Sequence, residues 1–229
     1  MMKRKGLVFA VLALNWLALL LVVRRMPAQI PMHVNLRGVV DGMGPNWWLL
    51  GFGALPAAVF LLLFALPKID PFRQSWLKHE KAYERVLLAL LVFFVLIGWL
   101  VASLGFGGGL GTQVSFRFES LLCTGLGLLF LVIGNHMGQL RQNWFFGIRT
   151  PWTLASETVW RKTHRLGAYA FVLCGALALI GAVLGLLTGL LWLEFTLAIA
   201  PVLLAAVWLT VYSYLLFQTE QRQKEGPDA

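Results

Sequence analysis

Six stretches of this chain are long enough and apolar enough to cross a lipid bilayer, and this leaves few folds open to it. Residues 6–23, 47–66, 86–104, 120–137, 168–187 and 193–217 contain no Asp, Glu, Lys or Arg, apart from Glu194 at the edge of the last run. A helix needs roughly 20 apolar residues to span a hydrocarbon core about 30 Å thick, because it rises ~1.5 Å per residue. No water is present there to satisfy backbone N–H and C=O groups, so each continuous apolar run must close its own hydrogen bonds as a helix. Only 13% of the 229 residues are charged, about half the roughly 25% typical of soluble domains. The sequence therefore predicts an all-α integral membrane protein with six transmembrane helices.

The first run follows Lys3-Arg4-Lys5, a start shared with signal peptides. It is 18 residues long, however, and ends in Val23-Arg24-Arg25-Met26-Pro27 with no small-residue cleavage site, so it reads as a retained first span. The net charge of +9 reports orientation. Lys and Arg number three in residues 1–5, five in 67–85, five in 138–167 and two in the tail, against three in 24–46 and one in 105–119. Cytoplasmic loops carry the excess of such residues, so both termini are expected in the cytoplasm. The basic balance then marks contact with anionic lipid heads and sets nucleic acid aside as a direct partner. Cys123 and Cys174 both fall inside spans and read as small packing residues with no metal spacing.

Organisation follows from these runs. Residues 1–66 form an N-terminal two-span unit with an outer loop. Residues 67–229 form a four-span unit with a distinctive inner loop at 134–167, and the whole is expected to be one membrane domain. Within 67–85 a charged helical stretch should extend the third span, with His79 on a solvated face among Lys78, Glu80 and Lys81.

The inner loop is unusually specific in composition. Trp144, Phe145, Phe146, Ile148 and Trp152 surround Gly147, Arg149 and Pro151. Rings with polar edges favour the headgroup layer, which would lay this half along the membrane surface. Arg149 suits a lipid phosphate, a carboxylate or an indole face, and Gly147 suits a turn. Thr150-Pro151 or Thr153 can start a helix. On that helix Trp152, Ala155, Val159 and Leu166 share one stripe, while Glu157, Arg161, His164 and Arg165 share a wet one. The expectation is a short amphipathic helix between spans 4 and 5. Glu157 and His164 stand about 10.5 Å apart along such a helix, too far for a direct hydrogen bond. Glu157 and Arg161 have instead the spacing of a helix ion pair.

The outer segment differs. Pro27 and Pro31 force an extended path. Met32, Val34 and Leu36 then alternate with His33, Asn35 and Arg37 at a strand period, and Asp41-Gly42 is a turn signal. His33 and Asp41 supply two candidate metal ligands, a weak set, and lie across the membrane from Glu157 and His164. The spans themselves offer only weak polar groups such as Asn15, Ser103, Thr124, Thr196, Thr210 and Ser213. That argues against an ion-coupled pump.

The string GNHMGQLRQNWFFGIRTPWTLASETVWRKTHRLG at 134–167 resembles the signature region of the SdpI family of bacterial membrane proteins, named for an immunity protein against a secreted killing peptide. The outer PMHVNLRGVVDG resembles a small N-terminal domain that often accompanies it. The resemblance covers most of the chain. It implies a six-span protein of the bacterial cytoplasmic membrane, without cofactor or bound metal, that protects the envelope from a toxin or signals its presence inward. The residues carried over are Asn135, Gly138, Asn143, Gly147, Arg149, Thr150, Pro151, Trp152, Thr153, Glu157, Trp160, His164 and Gly167. In the outer loop they are Pro31, His33, Asn35, Gly38 and Asp41. His136 departs from the aromatic residue expected at its position. The implied partners are membrane lipids, a secreted peptide toxin and a cytoplasmic regulator. The alternatives are a membrane enzyme acting on lipid or peptide through His33/Asp41 or Glu157/His164, and a transporter of amphipathic molecules.

Overall fold

The computed structural model describes residues 5–35, 38–106 and 117–225, excluding the side chains of Arg117 and Glu225. Six of its helices are long and apolar enough to cross a membrane, one for each apolar run. α1 spans Lys5–Val23, α2 Trp48–Ile69, α3 Arg73–Leu104 and α4 Arg117–Met137. α6 spans Glu157–Thr188 and α7 Leu191–Glu225. The seventh, α5, is a single short helix at Pro151–Ala155 in the loop between spans 4 and 5. Between α1 and α2 an antiparallel hairpin pairs β1 (Gln29–Val34) with β2 (Val40–Pro45).

α1, α2 and α3 pack on one another, α6 packs between α4 and α7, and α3 meets α4. Lipid gives helices no hydrophobic reason to associate, so close approach and interhelical hydrogen bonds must do it. Both devices are present. The Trp99 indole N–H donates to Asn15 Oδ1 at 2.9 Å, tying α3 to α1. On α6, a Cβ at Gly175 would lie 2.7 Å from the carbonyl oxygen of Gly127 on α4. Only a residue without a side chain lets those backbones come so close.

α3 carries the charged extension expected of it, with a break in helical geometry at His79 (φ −129°, ψ 17°). His79 does not sit on a solvated face. It is buried, its ring 5.2 Å from that of Trp76, and its Nδ1 accepts the Arg141 N–H at 3.4 Å. The kink turns this stretch beneath the 138–150 loop, which a local charge pattern cannot reveal.

The two loops sit at opposite ends of the bundle. The hairpin lies by the C-terminal end of α1 and the start of α2, and Gly105 at the end of α3 abuts Met26 and Ile30. The 138–150 loop lies on the α2–α3 connection. His33/Asp41 and Glu157/His164 therefore share no site.

Candidate functional site

Asn143 is the centre of the 141–149 loop. Its buried side chain uses every hydrogen-bonding position it has. Nδ2 donates to the carbonyls of Arg141 and Phe146, both at 2.9 Å. Oδ1 accepts the N–H groups of Phe145 at 3.0 Å and Phe146 at 2.6 Å. An amide offers two donors and two acceptor lone pairs, so this one residue folds the loop into a closed turn.

The turn is held from below by Asp70, a residue that no motif singled out. Its buried carboxylate accepts from Phe72 N (2.7 Å), the Trp76 indole (2.9 Å) and Trp144 N (3.0 Å). Ser75 Oγ donates to the Gln142 carbonyl at 2.6 Å. Phe146 meets Tyr83 edge to face at 5.3 Å. Of the aromatic residues expected along the membrane surface, Phe146 thus faces the bundle, while Trp144 is half exposed.

Gly147 has φ +113°, a conformation L side chains rarely adopt. A Cβ there would also collide with His164 Nε2. His164 is fully buried, not on the wet stripe of its helix, because its imidazole supports this turn. Ile148 N–H donates to Nε2 at 2.9 Å, so Nε2 carries the lone pair. Nδ1 therefore holds the proton and donates to the Trp160 carbonyl, also at 2.9 Å. The ring stacks on Trp160 with centroids 4.0 Å apart, and the Trp160 indole donates to the Leu140 carbonyl at 3.0 Å. Both imidazole nitrogens are engaged in this arrangement. Gly167, one turn further on, is buried where a Cβ would meet Ile148 Cδ1 at 2.6 Å.

Thr150 caps α5, and a reciprocal bond from Thr150 N–H to Thr153 Oγ1 completes a capping box, with Pro151 in the first turn. Thr153 Oγ1 also donates to the Ile148 carbonyl at 2.9 Å. Ser156 then caps α6, so the charged stretch after α5 forms the first turns of the fifth span. The Thr150 and Ser213 hydroxyls meet at 2.9 Å, and Ser156 Oγ donates to Glu220 at 2.5 Å, fixing the loop to α7. On α4, His136 is buried, accepts from Arg85 Nη1 at 3.2 Å and meets the Val132 carbonyl at 2.9 Å.

What remains outside this knot is a short row of exposed groups. Arg149 is exposed and donates from Nη1 to the Trp144 carbonyl at 2.8 Å, closing the loop at its rim. Trp152 is half buried, its ring 5.0 Å from Tyr214. Asn135, Gly138 and Pro151 are exposed. Glu157 is exposed, makes no ion pair with Arg161 among the described residues, and lines a cleft of about 390 Å³ with Ser75, Lys78, Arg141 and Gln142.

At the other end, β1 and the following turn replace the expected arrangement. Asp41-Gly42 lies within β2, with His33 opposite Gly42. The turn falls between Asn35 and Val39: Gly38 has φ +75°, and the Val39 N–H donates to Asn35 Oδ1 at 3.2 Å. Leu36 and Arg37, part of the expected strand alternation, lie outside the described residues. Pro31 is buried, whereas His33 is exposed, its Nδ1 2.5 Å from Asp41 Oδ1. Such an exposed pair contributes little to stability. Among the described residues no three His, Cys, Asp or Glu side chains are grouped as a metal site.

The spans are less empty than the sequence implied. α4 begins at Arg117 and brings Glu119 into the bundle at 3% exposure, and Glu194 at the start of α7 is fully buried. Ser120 Oγ donates to Glu194 Oε2 at 3.2 Å. Both glutamates lie at the boundaries of apolar runs: Glu119 falls in the outer segment 105–119 and Glu194 at the edge of the last run, where hydropathy alone does not reveal burial.

The sequence profile of the SdpI/YfhL protein family matches residues 139–213. A profile described as a domain of unknown function, DUF1648, matches residues 10–57. The immunity protein SdpI of Bacillus subtilis (strain 168) is 26% identical over 229 aligned residues, covering 93% of this chain and 95% of the relative. No solved structure matches. The knotted 141–164 loop falls inside the matched region, and with six membrane-spanning helices and near full-length similarity to that relative, this chain is a multi-pass membrane protein similar to the SdpI/YfhL family.

Proposed function

We propose that the chain protects the cell that carries it against a secreted antimicrobial peptide, and does so by recognition at the membrane faces. The similarity to an immunity protein along nearly the whole chain carries this reading. The geometry supports it. His164 and Trp160 are committed to holding the 141–149 turn, and the exposed residues around that turn form a surface without a nucleophile–base pair. Arg149, Trp152 and Glu157 are the contact residues on the inner face, and His33, Asn35 and Asp41 those on the outer face. Asn143, Gly147, Thr150, Thr153, Trp160, His164 and Gly167 position the first set. The inner face is the one open to a cytoplasmic regulator. Residues 1–66 act as the unit carrying the outer hairpin, in keeping with the separate profile match at 10–57.

A toxin-sensitive bacterium expressing this chain should survive at least one member of a panel of secreted antimicrobial peptides that kills cells carrying empty vector. Equal killing across a panel spanning membrane-active peptides would contradict the proposal. An enzymatic reading would regain ground if purified protein held stoichiometric metal.

A further inference from the structure

Beneath the hairpin is a cleft of about 230 Å³. It is smaller than the ~300–1,000 Å³ of drug-binding pockets, and suits a single long side chain. Its walls include Phe52, Val101, Leu122 and Phe195 from four different helices. Glu119 also lines it. Glu119 is only 3% exposed, and neither of its buried carboxylate oxygens has a hydrogen-bond partner among the described residues. Leaving such a group buried without a partner is costly. Neighbouring Glu194 at least receives a hydrogen bond from Ser120. Residues 31–35 of β1 and its turn line the cleft, while no β2 residue does. Among the described residues the sheet has two strands, so β1 pairs with a strand along one edge only.

Resting on the reading above, we propose that this cleft captures a basic side chain of the secreted peptide. The methylenes of a lysine pack on the apolar walls and its ammonium pairs with Glu119. Apolar stem and charged tip match the two parts of the cavity. The open edge of β1 offers main-chain groups to an extended segment beside that lysine, the usual way a peptide adds to a sheet. A neutral apolar side chain would leave the carboxylate buried without a partner.

The probe is a capped peptide, Leu-Val-Lys-Val-Leu, bearing a neutral dye. It is compared with its norleucine counterpart by fluorescence anisotropy on full-length protein in phosphatidylcholine nanodiscs, with empty discs subtracted. The lysine peptide should bind about tenfold more tightly, the scale of one charge-assisted hydrogen bond. Glu119→Gln, which keeps shape, should reduce the lysine peptide to the norleucine level. Leu122→Trp, which fills the cleft and leaves Glu119 in place, should weaken both. Equal affinities in the wild type, or a lysine preference that survives either substitution, overturns the proposal. Loss of lysine binding when phosphatidylethanolamine replaces part of the lipid assigns the cleft to a lipid amine and overturns it too. Lysine selectivity without protection in the survival assay would contradict the immunity reading and leave the cleft standing.

Discussion

Asn143 satisfies four backbone groups with one side chain, and its removal is therefore expected to cost far more than its size suggests. Truncation leaves buried donors and acceptors without partners, so Asn143→Ala should destabilise the protein by about 2–4 kcal/mol. Thermal unfolding in detergent would show this as a lowered midpoint, while exposed Glu157→Ala should stay within roughly 0.5 kcal/mol of wild type. Gly147→Ala is expected to be at least as damaging, since a methyl group there meets both an unfavourable φ and the His164 ring. The loop residues at 143–167 were singled out through their family pattern. Asp70 was not, because Asp between Ile69 and Pro71 looks like an ordinary turn former and its partner Trp144 lies 74 residues away. His79 and His164 misled for a related reason. Charged neighbours on a helix suggest a wet face, yet both rings turn into a neighbouring loop.

At the scale of elements, the apolar runs determined which segments became spanning helices, and hydropathy gave their number. Their ends were less legible. α6 absorbs the charged stretch at 157–167, because Ser156 supplies a new cap after the five residues of α5. Ser156→Ala removes that cap and a hydrogen bond to Glu220, and should cost about 1 kcal/mol in the same unfolding assay. The α4–α6 contact is more demanding. Gly175→Leu forces apart backbones that approach within side-chain distance, so the variant should fail to accumulate in membranes or lose its monodisperse elution. The hairpin turn was displaced from Asp41-Gly42 because Asn35 and Gly38 provide the local hydrogen bond and positive φ that close it.

For the whole molecule, the two loops occupy opposite ends of one bundle, and the Lys and Arg distribution predicts that the 138–167 end faces the cytoplasm. Both native cysteines are buried, which makes the orientation open to direct labelling. With a membrane-impermeant maleimide, Asp41→Cys should react in intact cells and Arg161→Cys only after lysis; the reverse pattern would invert the topology. Protection then has to be traced to one end or both. The most direct measurement takes the peptide found to be resisted and compares the concentration that kills cells expressing wild type, Arg149→Ala and Trp152→Ala at matched membrane abundance. The expected result is that both variants fall to the level of empty vector while inserting normally, because they remove one exposed and one half-buried side chain and leave the Asn143 and His164 supports in place. Full protection by both variants would contradict the assignment of function to the inner loop.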